Sequence, residues 1–126
     1  RNTEFNLQSI FGIALARRTW LRCVPWSDAA SVGQLLGEKT VLNEFYAYVS
    51  MEGLMNSGQL NSEKAQILST YILCGFANFA SIGIQIGGIG ALAPSRRKEL
   101  SELGLRALLA GTAASLFTAI LVGILY

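Results

Sequence analysis

Residues 65 to 95 form 31 consecutive positions without a charged side chain, and residues 107 to 126 form 20 more. A bilayer core takes about 20 apolar residues as a helix. The second run fits one span. The first does not, since 31 residues at 1.5 Å each would reach about 46 Å against roughly 30 Å of hydrocarbon. It must tilt strongly, leave the membrane early, or break. Its composition favours a break, because Gly75, Gly83, Gly87, Gly88 and Gly90 all weaken helix. The rest of the chain agrees with a membrane setting. Hydrophobic residues make up 52% and charged residues 14%, where a soluble domain carries about 25% charged. The 126 residues suit one small domain, and ten basic against eight acidic side chains leave a net charge of +2. A disordered chain, a coiled coil and a basic nucleic-acid-binding domain are excluded.

Enzyme chemistry has little to build on. There is no histidine and only one aspartate, Asp28, so neither a Ser-His-Asp site nor an Asp-Asp protease can be assembled. Cys23 and Cys74 lack partners at metal-ligand spacing and read as free thiols. Gly37-Glu38-Lys39-Thr40 superficially suggests a P-loop. Glu38 separates glycine from lysine, and no strand precedes it, so nucleotide hydrolysis is discarded. We expect no enzyme, no catalytic residue and no metal site. The chain starts at Arg1 without a signal-peptide pattern, which suits a piece of something larger.

Asn78, Ser81 and Gln85 follow i, i+3, i+7 spacing and share a face on any continuous helix. Polar groups in a membrane segment need partners in protein or a wet cavity. Interhelical glue and a substrate path both satisfy that need, and spacing leaves both open. In the second run, Ala107, Gly111, Ser115, Ala119 and Gly123 recur every fourth residue, a pattern that lets helices approach closely. Tyr126 suits an interface. Between the runs, Pro94 stops a helix, and Arg96, Arg97 and Lys98 make the connection cytoplasmic by the positive-inside rule. The C-terminus is then expected outside the cell.

Upstream, Pro25-Trp26-Ser27-Asp28 looks like a helix start, with Ser27 or Asp28 as cap. A short helix would run to Leu36 and stop at Gly37. Glu38-Lys39 would form a polar tip, and Thr40 would cap a second helix through Tyr48 and Met51. Two legs of about 15–20 Å joined by a polar tip describe a re-entrant hairpin. Glu44 would lie one turn past the tip, near the midplane, where a carboxylate is a functional candidate. The competing reading is an exposed residue of an amphipathic soluble hairpin.

These residues carry a resemblance. Leu42-Asn43-Glu44-Phe45 followed by Ala47-Tyr48 resembles the hairpin motif of the concentrative nucleoside transporters. The stretch from Cys74 to Gly83, CGFANFASIG, resembles the same family's broken-helix motif, and Pro94-Ser95-Arg96-Arg97 and Leu105-Arg106-Ala107-Leu108 also match. The likeness runs from Val24 to the C-terminus. It implies an all-α integral membrane protein within an inverted-repeat transporter fold. Residues 1–24 would be an interfacial helix region, 25–54 the re-entrant hairpin, 62–94 a broken transmembrane helix and 99–126 the final transmembrane helix. The implied function is cation-coupled nucleoside symport across the cell membrane, with this chain supplying the ribose-binding half. Glu44 would accept hydrogen bonds from ribose hydroxyls, Asn78 and Ser81 would complete the ribose site, and Phe76 would line the pocket. A homotrimer in the lipid bilayer is implied, with no cofactor and with a Na+ or H+ site outside this chain. A truncated membrane protein that only packs against partner helices is the alternative. Two departures from the pattern stand out: Arg17, Arg18 and Arg22 in a segment that is normally apolar, and Ala80 where serine is common.

Overall fold

Asp28 is the first fixed point of the fold. In the computed structural model, which describes residues 24–126, its carboxylate Oδ2 accepts the backbone N–H of Ser62 at 3.1 Å. Asp28 is buried and precedes helix α1 (Ala29–Val41), yet its side chain caps nothing there. It ties the start of the helical pair to the segment that follows it. The interfacial region expected over residues 1–24, with Arg17, Arg18 and Arg22, lies outside the described residues except for Val24.

The tip of the pair falls later than the sequence suggests. Helix α1 continues through Gly37, Glu38 and Lys39, and Thr40 Oγ1 donates back to the Leu36 carbonyl at 2.7 Å instead of capping a new helix. The chain turns at Leu42-Asn43. Asn43 is extended, and its Oδ1 accepts the Tyr46 N–H at 2.9 Å, which starts helix α2 (Glu44–Asn56). The physical reason is twofold. Glycine permits a helix stop without requiring one, and Asn43, a better N-cap than Thr40, lies three residues beyond it. Lys39, moreover, finds a buried partner only if the helix carries it inward. Glu44 is therefore the first residue of α2, at the turn itself.

Gly58 takes φ +69° in the turn after α2, the left-handed conformation that glycine adopts at little cost. Ser62 Oγ then accepts the Ala65 N–H and starts helix α3 (Glu63–Leu73). The long uncharged run does break, over residues 74–78. Asn78 starts helix α4 (Phe79–Leu92), its Oδ1 accepting the Ser81 N–H at 2.7 Å. Only Gly75 lies at the break; Gly83, Gly87, Gly88 and Gly90 stay helical. A glycine inside a helix costs about 1 kcal/mol, less than opening further backbone bonds in apolar surroundings. A 3₁₀ turn, Pro94–Arg96, leads into helix α5 (Arg97–Leu125). Arg97 and Lys98 thus belong to its first turn, two residues before the expected start. Arg96 grips Glu99 with two hydrogen bonds at 2.6 and 2.8 Å.

The core draws on α1, α2, α3 and the second half of α5. Leu35, Leu36, Ala47, Leu68, Ile72 and Leu73 are all buried in it, with Ala119 closing one side. Helix α4 contributes no residue to this core and packs on the first half of α5. Small residues set that approach. A Cβ on Gly104 would overlap Ile82, and one on Gly111 would lie 3.1 Å from Ala77 Cβ. The 32 residues Pro94–Leu125 are long and apolar enough to cross a membrane, and α4 is a shorter apolar helix. Leu109, Phe117, Leu121 and Ile124 remain exposed along α5.

A Cβ on Gly75 would overlap the Ser115 hydroxyl. Gly75→Ala should therefore lower stability by about 1–3 kcal/mol through overpacking. A thermal melt of the complete protein in detergent, compared with the unsubstituted form, measures it.

Candidate functional site

A helix that stops leaves its last carbonyls without intrahelical donors, and one that starts leaves its first N–H groups without acceptors. Both ends meet at residues 74–78. Side chains from the α1–α2 pair supply part of what is missing. At the end of α3, the Thr70 carbonyl accepts Cys74 N–H at 3.1 Å and the Tyr48 hydroxyl at 2.9 Å, and the Ile72 carbonyl accepts Lys39 Nζ at 2.7 Å. At the start of α4, Asn78 caps the helix and reaches across to the pair.

Asn78 is 2% exposed, and both its amide oxygen and its amide nitrogen are hydrogen-bonded. Its Oδ1 accepts both the N–H and the hydroxyl of Ser81, at 2.7 and 2.8 Å. That fixes the amide's orientation, because the oxygen must face the Ser81 N–H. Nδ2 is then turned toward Glu44 and donates to its Oε2 at 3.0 Å. Glu44 is half-buried at the tip of the pair. A carboxylate has about four acceptor positions, and Asn78 takes one of them.

The structure therefore brings together three of the residues singled out from sequence, Glu44, Asn78 and Ser81, in one continuous hydrogen-bonded chain. Phe76 stands apart from that chain, 77% exposed in the break. Phe76, Asn78 and Ser81 line an open cavity of about 560 Å³ between the broken segment and α5, and Gln85 lines it further along α4. Glu44 is not in the lining and joins it through Asn78. The face shared by Asn78, Ser81 and Gln85 is thus turned to a cavity rather than to a packed helix. The small residues Ala107, Gly111 and Ser115 form part of the opposite wall.

Sequence reading missed Lys39. It was placed in a polar tip, yet its side chain is fully buried within helix α1, with Nζ also 3.5 Å from Ser115 Oγ. The available signal was its setting: Lys39 is the only cation between Arg22 and Lys64. Glu38 beside it is buried as well. One of its carboxylate oxygens accepts from Gln34 Nε2 at 2.8 Å, and the other has no partner among the described residues. No group of three or more metal-ligating side chains occurs among the described residues.

The arrangement suits a neutral, hydroxyl-rich ligand. The free positions of the Glu44 carboxylate and the Ser81 oxygen offer acceptors, with an aromatic ring nearby and no Lys or Arg among the described residues that line the cavity.

Comparison with known proteins gives a consistent result. Residues 1–123 match the family model described as Na+ dependent nucleoside transporter C-terminus. The chain is 44% identical over 119 residues to a putative nucleoside permease, NupX, of Escherichia coli, covering 94% of this chain and 28% of the relative. It is 43% identical over 133 residues to sodium/nucleoside cotransporter 1 of Rattus norvegicus, covering 96% of this chain and 20% of that protein. The solved structure of CNTnw in an inward-facing, substrate-bound state superposes with a TM-score of 0.84 at 36% identity, over 95% of this chain and 29% of that one. The chain spans less than a third of the length of each of these relatives.

The Glu44–Asn78 contact has a charge signature that mutation can read. Asn78→Asp keeps the cap of α4 but sets a second carboxylate against Glu44, and should cost about 1–3 kcal/mol. Adding Glu44→Gln restores a donor across the same gap and should recover at least half of that loss. Thermal melts of the two single variants and the double variant form the cycle.

Proposed function

This chain belongs to the Na+-dependent nucleoside transporter family, as part of its C-terminal region, and on that premise we propose that it supplies the ribose-holding half of a cation-coupled nucleoside symporter. The observation that carries the reading is the Glu44–Asn78–Ser81 chain at the helix break. In it a carboxylate is held half-buried by a neutral amide, not neutralised by a cation. A ribose presents adjacent hydroxyl donors, and the remaining acceptor positions of Glu44 match them. Ser81 and the capped end of α4 complete the polar wall, and Phe76 packs against the ligand. Two members of the family are named as nucleoside transporters, one of them sodium-coupled, and a third was solved with substrate bound.

The same premise organises the helices. Residues 25–54 form a re-entrant hairpin, whose helices α1 and α2 have 13 residues each, or about 20 Å, too short to cross alone. Residues 62–94 form the broken transmembrane helix, which brings irregular backbone to membrane depth where protein encloses it. Residues 99–126 form the final span, with Arg96, Arg97 and Lys98 on the cytoplasmic side and the C-terminus outside. The complete protein works as a homotrimer in the cell membrane. The coupling ion, Na+ or H+, is held by the part of the transporter beyond this chain.

Glu44→Gln in the complete transporter should reduce uptake of a radiolabelled nucleoside at subsaturating concentration by 10-fold or more. Losing a charge-assisted hydrogen bond costs about 1.5–3 kcal/mol, and 1.4 kcal/mol is one decade. Uptake equal to that of the unsubstituted protein, at equal surface abundance, would remove Glu44 from the ribose site.

A further inference from the structure

Lys39 stands outside the proposed ligand contacts, and its position calls for an explanation. A lysine at 0% exposure among apolar helices is costly unless its ammonium is well partnered. Its main partner is the carbonyl of Ile72, in the last turn of α3, at 2.7 Å. In an uninterrupted helix that carbonyl would accept the N–H of Phe76, four residues on. Lys39 takes the acceptor where the helix stops. A positive charge is also favourable there, because the C-terminal carbonyls of a helix carry partial negative charge. The ammonium lies 3.4 Å from the point where a side chain on Gly75 would begin, and 3.5 Å from Ser115 Oγ of α5. It therefore touches the near edge of the break, while Glu44, five residues further along, holds the far edge through Asn78.

We propose that Lys39 is a positioning residue for the ribose site: its ammonium takes the Ile72 carbonyl in the last turn of α3 and so sets where Phe76, Asn78 and Ser81 stand relative to Glu44. The proposal rests on the ribose reading given above and extends it to a residue that need not touch the ligand. Two braces act from the two sides of the hairpin tip, one on each side of the break. With the lysine brace removed, the Ile72 carbonyl is left without its cationic donor, and α3 can extend through Cys74 and Gly75. That extension would rotate Phe76 and shift Asn78 off Glu44.

The test uses the complete transporter and the ratio of apparent affinities for uridine and its 2′- and 3′-deoxy analogues. A site built to bond ribose hydroxyls discriminates against analogues that lack them. The ratio does not depend on how much folded protein reaches the membrane. Lys39→Met should shrink the ratio at least fivefold and raise KM for uridine. Lys39→Gln, which keeps a neutral donor, should shrink it about twofold and serves if the first variant does not reach the membrane. A ratio unchanged in the variants that reach the membrane, even with uptake reduced, would mean that the lysine only supports folding and would overturn the proposal. Glu44→Gln, measured alongside, separates the two readings. If it collapses the ratio while the lysine variants do not, only the role of Lys39 fails. If it leaves the ratio intact, the ribose reading beneath it fails as well.

Discussion

A helix interrupted among apolar side chains exposes backbone groups that no water satisfies, and the fold is arranged around meeting that demand at residues 74–78. The Ile72 carbonyl takes an ammonium, the Thr70 carbonyl takes a phenol, and the first N–H groups of α4 take an asparagine oxygen. Two of these three side chains come from the α1–α2 pair. The pair can therefore not be placed independently of the broken helix. Asp28 to Ser62, Tyr48 to Thr70, Lys39 to Ile72 and Glu44 to Asn78 are successive rungs between the two units.

The rungs also explain where the scarce charges sit. Asp28, Lys39 and Glu44 each face backbone or amide groups rather than an opposite charge. Pairing with neutral dipoles spares the fold the desolvation of a second ion. It also leaves the Glu44 carboxylate with acceptor positions to spare, which a direct ion pair would have consumed. One side chain thus serves two structural needs: the cap that starts α4 is also the group that orients the carboxylate.

Close approach is the second condition. Gly75, Gly104 and Gly111 let α5 lie against the broken segment with no room for a Cβ at two of the three positions. The same small residues wall the cavity, so its shape is fixed by how α4, α5 and the break pack together. The outer faces of α4 and α5 remain apolar and exposed, as expected of helices that meet lipid.

Much of this was legible in the sequence. The 31-residue uncharged run was too long for one straight span, and Asn78, Ser81 and Gln85 fall on one face of a continuous helix. Glu44, Asn78 and Ser81 stood out because polar groups are conspicuous in apolar segments. Other features were not legible, because they depend on partners distant in sequence. Gly37 looks like a stop and Lys39 like part of a polar tip until the Ile72 carbonyl, 33 residues away, is seen to receive the ammonium. The five glycines looked equivalent until the contact with Ser115 singled out Gly75. Local patterning determined that the chain is helical, apolar and broken, because period, cap and length are properties of neighbouring residues. Tertiary structure decided where it breaks and which side chains meet there, because a buried hydrogen bond is defined by both of its ends.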